Sequence, residues 1–408
     1  MALLLSGGPV EEASPLCETR RMEFGIFVQA HVPRQRVEAE GSLALAEHNA
    51  LMGEVELVRL ADQTGWKYCW IVEHHFLTEY SHLSDSGPYL GYLAAITDRI
   101  HIGSGIFNLN PQVNHPVRIA ERAAMLDHLS DGRFELGTGR GAGSREVTGF
   151  DIESTSVTKE PWDEVIRQLT RMWNETEYSY DGKFFRVPYP NPEKPTRNVL
   201  PKPWKKPHPP LWVAAGNPPT YEKAARLGLG VLGFNVAAIK DMEPLVRTYK
   251  DHIHEAEPVG DYVNDNVMIT NGVVCLEDGK KARELATRMG IHYLQSLVFY
   301  YHDTFPKVEG VPVWPDPFPE PTLEDVEYRI NEGFMLCGDP DEVLEQARRY
   351  ESVGCDQLVF GMPLNMPWEA AQETLRLFGE HVIPKLDPDP GFRSSRFRDE
   401  AAKKLGGA

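Results

Sequence analysis

The run Trp66-Lys67-Tyr68-Cys69-Trp70-Ile71-Val72, followed at once by Glu73-His74-His75-Phe76, is the most informative stretch of this sequence. Its first seven residues predict a buried strand, because strands inside β/α proteins are almost wholly apolar. Three ionisable side chains then follow at the carboxyl end, where α/β enzymes place their active sites. Imidazole also titrates near neutrality. The tetrapeptide alone is equally compatible with a capping histidine beside a structural one.

Along the rest of the chain, strand-like segments alternate with helix-like segments. The predicted strands are Met22–Val28, Trp66–Val72, His101–Phe107, Arg133–Gly137, Leu211–Ala215, Gly230–Asn235, Asn266–Leu276 and Gln357–Gly361. Most are followed by a helical pattern, which indicates parallel βαβ units. Eight such units predict an α/β fold, a closed (β/α)8 TIM barrel, although the count alone leaves a doubly wound open sheet possible.

The barrel domain is predicted to span residues 22–386. Residues 1–21 look like a loose leader, and 387–408 like a charged tail that wraps the surface or is disordered. Two stretches rich in proline and aromatic residues, 178–210 and 301–321, interrupt the alternation. Long loops without structure of their own are usually lids or binding loops, so both are expected as insertions over the active-site face.

Composition limits the classes of partner. The formal net charge is −18 and no long basic run occurs, which argues against nucleic acid or an acidic membrane surface. No apolar run approaches the length of a membrane span, and residues 1–5 are too short for a secretory signal. Five widely spaced cysteines without CxxC pairing indicate reduced thiols in a cytoplasmic protein.

Three further segments are candidates for ligand contact. In Thr138–Gly143, glycines allow close backbone approach and Arg140 suits a phosphate, but an ordinary β/α turn explains the box equally simply. Ala214–Thr220 begins a helix whose N–H groups could bind an anion, or Asn217 or Thr220 could merely cap that helix. The small residues of Ile102–Asn108 indicate close approach by a ligand or backbone, or tight packing against a helix.

Other common motifs are absent from the sequence: it has no His-Glu-x-x-His, EF-hand, Gly-x-Ser-x-Gly or P-loop pattern. No metal site is predicted. The remaining histidines are scattered and are interpreted as structural or solvated. These are His101, His115, His128, His252, His254, His292 and His302.

Taken in order, several strings resemble the bacterial luciferase-like family of flavin-dependent monooxygenases, from Met22 to about Leu386. The matching strings are Met22–Phe27, Glu73–Phe76, His115–Arg118, Ser130–Phe134, Gly139–Gly141 and Gly338–Glu342. The resemblance implies a TIM barrel, usually a homodimer. It also implies reduced FMN delivered by a separate flavin reductase, and reaction with O2 through a flavin C4a-peroxide to oxygenate a small organic substrate.

The same resemblance assigns roles to residues. His74 would be the catalytic histidine beside the flavin and His75 would support it, while Arg140 and Thr220 would hold the flavin phosphate. A strained non-prolyl cis peptide is often found in this family where Ser104-Gly105 falls. The implied cofactor-binding set is Ser104, Gly105, Arg140, Gly141, Ala215, Gly216, Asn217 and Thr220.

The sequence also departs from luciferase. Gly216-Asn217 stands where luciferase has Glu-Ser, and Gly139 where it has a reactive cysteine; the loop 108–114 is longer. These departures put aldehyde oxidation and light emission in doubt. The aromatic insertions favour an apolar or ring-containing substrate, unless Trp204, Trp314 and Phe318 simply anchor the loops.

Three alternatives remain. An F420-dependent oxidoreductase of the same fold would transfer hydride without activating O2. A non-catalytic flavin-binding relative would act in storage or as a structural subunit, although the retained His74-His75 pair argues against it. A metal-dependent barrel hydrolase or isomerase would need carboxylates and histidines at further strand ends.

Overall fold

The computed structural model describes residues 21–234, 238–304, 313–316 and 319–406. Eight parallel strands form a closed barrel, because the last strand pairs with both the first and the seventh. The predicted TIM barrel is therefore confirmed. Its strands are Glu23–Val28 (β1), Tyr68–Ile71 (β2), His101–Ser104 (β3), Phe134–Gly139 (β4), Leu211–Ala215 (β5), Gly230–Gly233 (β6), Val267–Cys275 (β7) and Gln357–Gly361 (β8).

Helices surround the barrel. Within the described ranges they are Arg34–Glu40 (α1), Leu43–Gln63 (α2), Ser86–Ile96 (α3), Pro116–Leu129 (α4), Ser144–Gly149 (α5), Lys159–Asn174 (α6), Pro218–Arg226 (α7), Ile239–His252 (α8), Gly279–Ala286 (α9), Ile291–Tyr301 (α10), Leu323–Glu332 (α11), Pro340–Ser352 (α12), Trp368–His381 (α13), Ile383–Leu386 (α14) and Arg393–Lys404 (α15), with 3-10 turns at Thr155–Thr158 and Ile253–Glu255. The helix α12 begins with a reciprocal capping box formed by Asp339 and Glu342.

Short strands extend this plan. Phe107–Asn108 pairs with β4, and Leu336–Gly338 pairs with Val273–Cys275 at the far end of β7. An antiparallel hairpin joins Tyr180–Asp181 to Arg186–Val187. The predicted single strand His101–Phe107 is thus two strands, because the backbone leaves the β3 ladder after Ser104.

The barrel interior is a packed aromatic core. Trp70 and Trp212 meet edge to face with centroids 5.1 Å apart. A Cβ at Gly103 would lie 2.3 Å from the Trp70 ring, so β3 needs glycine there. At Gly103, the close approach predicted for the Ile102–Asn108 segment is therefore by the Trp70 side chain of the neighbouring strand.

The C-terminal helix closes the amino-terminal end of the barrel. Arg398 is buried and donates both terminal guanidinium nitrogens to Asp127, each at 2.9 Å. Lys67 lies 2.9 Å from Glu23 and 2.6 Å from Asp387, all buried. Residues 387–406, predicted as a tail, therefore contribute buried groups to the barrel.

The segment 178–210 was predicted to lie over the active-site face, but the structure places it elsewhere. It follows the carboxyl end of α6, which runs antiparallel to the strands, so it starts at the amino-terminal end of the barrel. Trp204 donates to Asp131 at 2.7 Å and the Lys205 N–H donates to Asp127 at 3.0 Å, both near the start of β4. The hairpin packs along α6 through Glu164. This insertion covers the flank and base of the barrel, and Trp204 anchors it.

The described residues of the second predicted insertion, 301–304, 313–316 and 319–321, include contacts at the carboxyl-terminal mouth, as expected. Trp314 donates its indole N–H to Glu79 at 3.1 Å, and Asp303 accepts the Ser144 N–H at 2.9 Å. Phe318 lies outside the described residues. In those ranges, Cys69, Cys275, Cys337 and Cys355 are buried and free, and no helix is long and apolar enough to cross a membrane.

Candidate active site

A histidine–carboxylate pair lies just beyond the carboxyl end of β2. His74 Nδ1 is 2.8 Å from Glu146 Oε1, and both side chains are nearly buried. Burial alone would raise the pKa of Glu146, but the His74 imidazole and the N–H groups of Ala142 and His75 outweigh it and lower that pKa to about 2. Because the ionised carboxylate is an acceptor, we assign the proton to Nδ1, which leaves Nε2 to exchange protons.

Glu146 lies in the short helix α5, directly after the Gly-Arg-Gly box at the end of β4. Besides His74, it accepts the Ala142 N–H at 2.7 Å and the His75 N–H at 3.0 Å, so one carboxylate joins the two loops. The sequence interpretation missed this residue. The available signal was a carboxylate within the loop after a barrel strand, a place where catalytic groups collect.

His75 faces different neighbours. Its Nε2 is 3.9 Å from Glu73, and its ring meets Phe150 edge to face with centroids 4.8 Å apart. Glu73 in turn accepts the N–H and hydroxyl of Ser86 at 3.1 and 2.7 Å. His75 therefore packs within the loop that carries His74, which agrees with a supporting position.

Two aromatic rings contact His74. The Tyr80 and His302 ring centroids lie 5.4 and 5.7 Å from it. Burial lowers the pKa of His302 to about 3, with His74 adding to the effect, so this imidazole is neutral near pH 7. His302 was interpreted as structural or solvated, but the structure places it beside His74. The fold brings it there from the end of α10, which no local motif signals.

A cavity of about 180 Å³ opens beside these rings, at the carboxyl ends of β1, β6, β7 and β8. Tyr80 lines it and so connects the cavity to His74; the Tyr80 hydroxyl accepts a hydrogen bond from Gln29 at 3.1 Å. The lining is mainly apolar. Its larger apolar members are Phe27, Phe234, Leu294, Val298, Phe334 and Met362. The arrangement suits a small, largely apolar molecule held near an imidazole.

Arg140 is half-buried on the β4 side of the mouth. It donates to the Thr158 hydroxyl at 3.1 Å and, more weakly, to the Thr155 carbonyl at 3.4 Å. Burial lowers its pKa, and Asp163 opposes that shift from a distance. No carboxylate of the described residues lies within 4 Å of its guanidinium, so this cation is available to an anionic group.

Gly141 has φ +94°, a left-handed conformation that favours glycine. A Cβ there would lie 3.3 Å from the Asn108 amide nitrogen and 3.2 Å from Val147. Gly141 therefore lets the box turn sharply against the 108–114 loop. The turn itself favours glycine at position 141, whatever ligand the turn contacts.

The Ala215–Thr220 segment forms a helix cap. The Asn217 side chain accepts the Thr220 N–H at 3.1 Å and its hydroxyl at 2.9 Å. Pro218 and Pro219 carry no N–H, so the first turn of α7 lacks the donors expected for an anion site. Gly216 is exposed, and so is Ala214 although it lies within β5, which leaves open space along this strand end.

Ser104 and Gly105 lie at the end of β3. The Ser104 hydroxyl donates to the Gly137 carbonyl at 2.9 Å and accepts the Gly137 N–H at 3.0 Å, so it belongs to the sheet. The Gly105 N–H donates to Ile71 at 2.7 Å. The Ser104–Gly105 peptide is not cis; within the described ranges the cis bonds all precede proline. The cis peptide implied by the resemblance is therefore wrong for this structure.

In the described residues, no group of three or more histidine, cysteine or acidic side chains is arranged to hold a metal ion. The predicted residues thus separate into two sets. His74 and His75 in the β2 loop contact Glu146 in the β4 loop, which also carries Arg140 and Gly141. Ser104 ends β3, the strand between β2 and β4, and Gly105 follows it. Of the predicted residues at the end of β5 and after it, Asn217 and Thr220 form a helix cap.

The closed barrel and the residues at its carboxyl-terminal mouth define the class of protein: a TIM barrel with an enzyme-like site at the carboxyl ends of its strands. The profile of the luciferase-like monooxygenase family matches residues 22–357, so the chain belongs to that family. The resemblance noted from the sequence is confirmed, and with it an oxidoreductase role.

Individual similar proteins support this family assignment. The oxygenase component of a flavin-dependent trigonelline monooxygenase from Acinetobacter baylyi is 26% identical over 81% of this chain and 88% of its own length. The crystal structure of monooxygenase RslO1 from Streptomyces bottropensis superposes with a TM-score of 0.71 at 26% identity, covering 89% of this chain and 99% of that one. An F420-dependent glucose-6-phosphate dehydrogenase from Microbacterium testaceum is 25% identical over 80% of this chain and 91% of its own length.

Proposed function

We propose that this protein is the oxygenase component of a two-component monooxygenase. It would use reduced FMN and O2 to oxygenate a small organic substrate, with the reduced flavin supplied by a separate reductase. The observation that carries the proposal is the His74–Glu146 pair, 2.8 Å apart at the barrel mouth, beside an apolar cavity that Tyr80 connects to it.

The residues present fit an FMN phosphate at Arg140. The guanidinium is half-buried, has no carboxylate partner in the described part of the chain, and projects from a glycine-rich turn. Its planar fork matches a phosphate. Ala214 in the neighbouring strand β5 and Gly216 just after it are small and exposed, which leaves room at the end of that strand.

When bound, reduced FMN supplies the electrons with which O2 is activated. The chain's own residues would do the rest. His74 Nε2 would move a proton at the reacting centre, while Glu146 holds the imidazole through Nδ1. Tyr80 and the neighbouring apolar side chains would exclude water, which protects the reaction from unproductive release of hydrogen peroxide.

Cofactor choice is the first test. In anaerobic titrations we expect reduced FMN to bind more tightly than reduced riboflavin, which lacks the phosphate, and more tightly than reduced F420. Arg140→Met should weaken FMN binding by about 10- to 100-fold, the range of a lost charge-assisted hydrogen bond, and leave riboflavin binding unchanged. Arg186→Met, on the outer hairpin, is the matched control.

Preferential binding of F420 would favour the hydride-transfer alternative, which the F420-dependent relative supports. Equal binding of FMN and riboflavin by the wild-type protein would exclude Arg140 as the phosphate group's partner. An oxygen-uptake screen with a generic flavin reductase then tests oxygenation. If no compound stimulates oxygen consumption or yields product, the proposal fails in favour of a non-catalytic flavin-binding role.

A homodimer and a cytoplasmic location belong to the same proposal. They follow the family resemblance and the reduced cysteines expected from the sequence. Sedimentation of the purified protein checks the dimer, and fractionation of the source cells checks the location.

A further inference from the structure

The cavity beside His74 has one charged lining residue within the described part of the chain, Arg329. It comes from α11, whose other charged residues are all acidic and give that helix the sequence of a solvated element. The remaining polar lining is uncharged. A cation at the wall of an otherwise apolar cavity is costly unless an anion compensates it.

Arg329 has an uncharged partner. A terminal guanidinium nitrogen donates to Gln295 Oε1 at 2.8 Å, and Gln295 also lines the cavity. Among the described residues no carboxylate lies within 4 Å of this guanidinium. Burial lowers the pKa of Arg329 and Asp325, one turn earlier, opposes that shift; the Asp325 Oδ2 accepts the N–H and hydroxyl of Thr322.

Three other buried or half-buried arginines, Arg398, Arg283 and Arg133, have several hydrogen-bond acceptors within the chain. Arg398 is bidentate with Asp127, and Arg283 donates to both oxygens of Glu342. Arg133 donates to three carbonyls and one hydroxyl. Arg329 has five N–H donors, and within the described residues its side chain donates one hydrogen bond, to Gln295.

We propose that the cavity binds substrates with a compact apolar body and a carboxylate group, and that Arg329 holds the carboxylate while Gln295 orients the guanidinium. Tyr80 also lines the cavity and contacts His74, so the apolar body would extend toward His74. This inference rests on the proposed function for its meaning as a substrate site. Arg329 is a specificity-determining residue, and binding alone tests it.

Phenylacetate and phenylacetamide form a matched pair of probes, equal in shape and different in charge. Isothermal titration of the full-length protein should show phenylacetate binding at least about 10-fold more tightly. Arg329→Met should remove that preference by weakening phenylacetate alone. Arg329→Lys should keep part of it, because the charge remains and the planar fork is lost.

Arg348→Met is the control, since Arg348 is an exposed arginine paired with Glu345 on the nearby helix α12; it should leave both affinities unchanged. Equal binding of the two probes by wild type, failure of both to bind, or an unchanged preference in Arg329→Met would each overturn the proposal. If Arg329→Met does not fold, an unreduced preference in Arg329→Lys overturns it. FMN titration of the same variants distinguishes this failure from failure of the flavin proposal.

Discussion

The two ends of the barrel each carry a histidine–glutamate pair of nearly the same geometry. At the mouth, His74 Nδ1 lies 2.8 Å from Glu146; at the base, His101 Nδ1 lies 2.7 Å from Glu135. In both pairs the imidazole is held through the same nitrogen by a buried carboxylate. Distance alone would assign them the same role.

Their surroundings differ. At the base, Glu135 also accepts the Trp212 indole at 2.7 Å and the Ser394 hydroxyl, and the Phe392 ring stacks on His101 at 4.0 Å. At the mouth, His74 contacts Tyr80, and the Tyr80 side chain lines a cavity. A histidine–carboxylate pair therefore indicates chemistry when a ligand can reach it, and structure when the chain covers it.

The largest expected effect separates the two pairs. His74→Ala should lower substrate oxygenation per flavin oxidised by about 10²- to 10⁴-fold, because it removes a general acid–base group. His101→Ala should leave that ratio unchanged and lower the free energy of unfolding by about 2 kcal/mol. Product and hydrogen peroxide yields, with a substrate from the oxygen-uptake screen, measure the first effect and urea denaturation the second. Equal loss of oxygenation in both variants would remove the distinction.

The base is expected to determine stability. Arg398→Met leaves Asp127 as an uncompensated buried charge and should lower the free energy of unfolding by about 3–5 kcal/mol in urea denaturation. Adding Asp127→Asn should restore part of that loss. Oxygenation by the folded fraction should not change, and a selective loss of oxygenation would show that the base also acts on the mouth.

A smaller effect is expected when the mouth pair keeps its histidine and loses its charge. In Glu146→Gln the amide oxygen can still accept from Nδ1, but an imidazolium is no longer stabilised. We expect kcat to fall by about 10-fold with little change in KM or FMN affinity, and the pH profile of kcat to shift. Partial recovery in Glu146→Asp checks the role of charge; a change in KM alone would indicate loop disorder.

The smallest effect concerns pH. Burial lowers the pKa of His31 to about 4, against the opposing hydrogen bond with the Tyr80 carbonyl and aided by His74. The unfolded chain takes up this proton below about pH 6.5, so the contribution of His31 to stability is complete above that pH and is lost as pH falls through about 4. His31→Gln should reduce the slope of unfolding free energy between pH 6 and 4.5 by about 1.4 kcal/mol per pH unit. An unchanged slope would mean that His31 is already protonated when folded.

The barrel was predictable because its information is local. The eight strands are short apolar runs and each helix repeats its own pattern, so alternation alone predicted the order. The Glu73–Phe76 box was found in the same way, as charge at a strand end. The 178–210 segment was assigned to the wrong place because its composition resembles a lid, although its position between a helix and the next strand indicates the base.

The rest of the site depends on contacts between residues that are far apart in the sequence. Glu146 reaches His74 through a turn at Gly141, and His302 arrives from α10. Arg329 lies on α11, whose charged residues indicate a solvated helix in the sequence. Only the folded structure shows that Arg329 lines the cavity. These residues have no local signature, because each is defined by what another part of the chain places next to it.

The tryptophan-filled interior at Gly103 and Trp70 has a consequence for turnover. In the part of the chain that the structure describes, the packed core leaves no channel along the barrel axis, so under the proposed function reduced flavin, O2 and the organic substrate would all enter at the carboxyl-terminal mouth. The compound that binds first would then limit access for the next, and oxidised flavin would leave past the product or after it. The packed core would thus constrain the order of binding and release, in addition to the affinities.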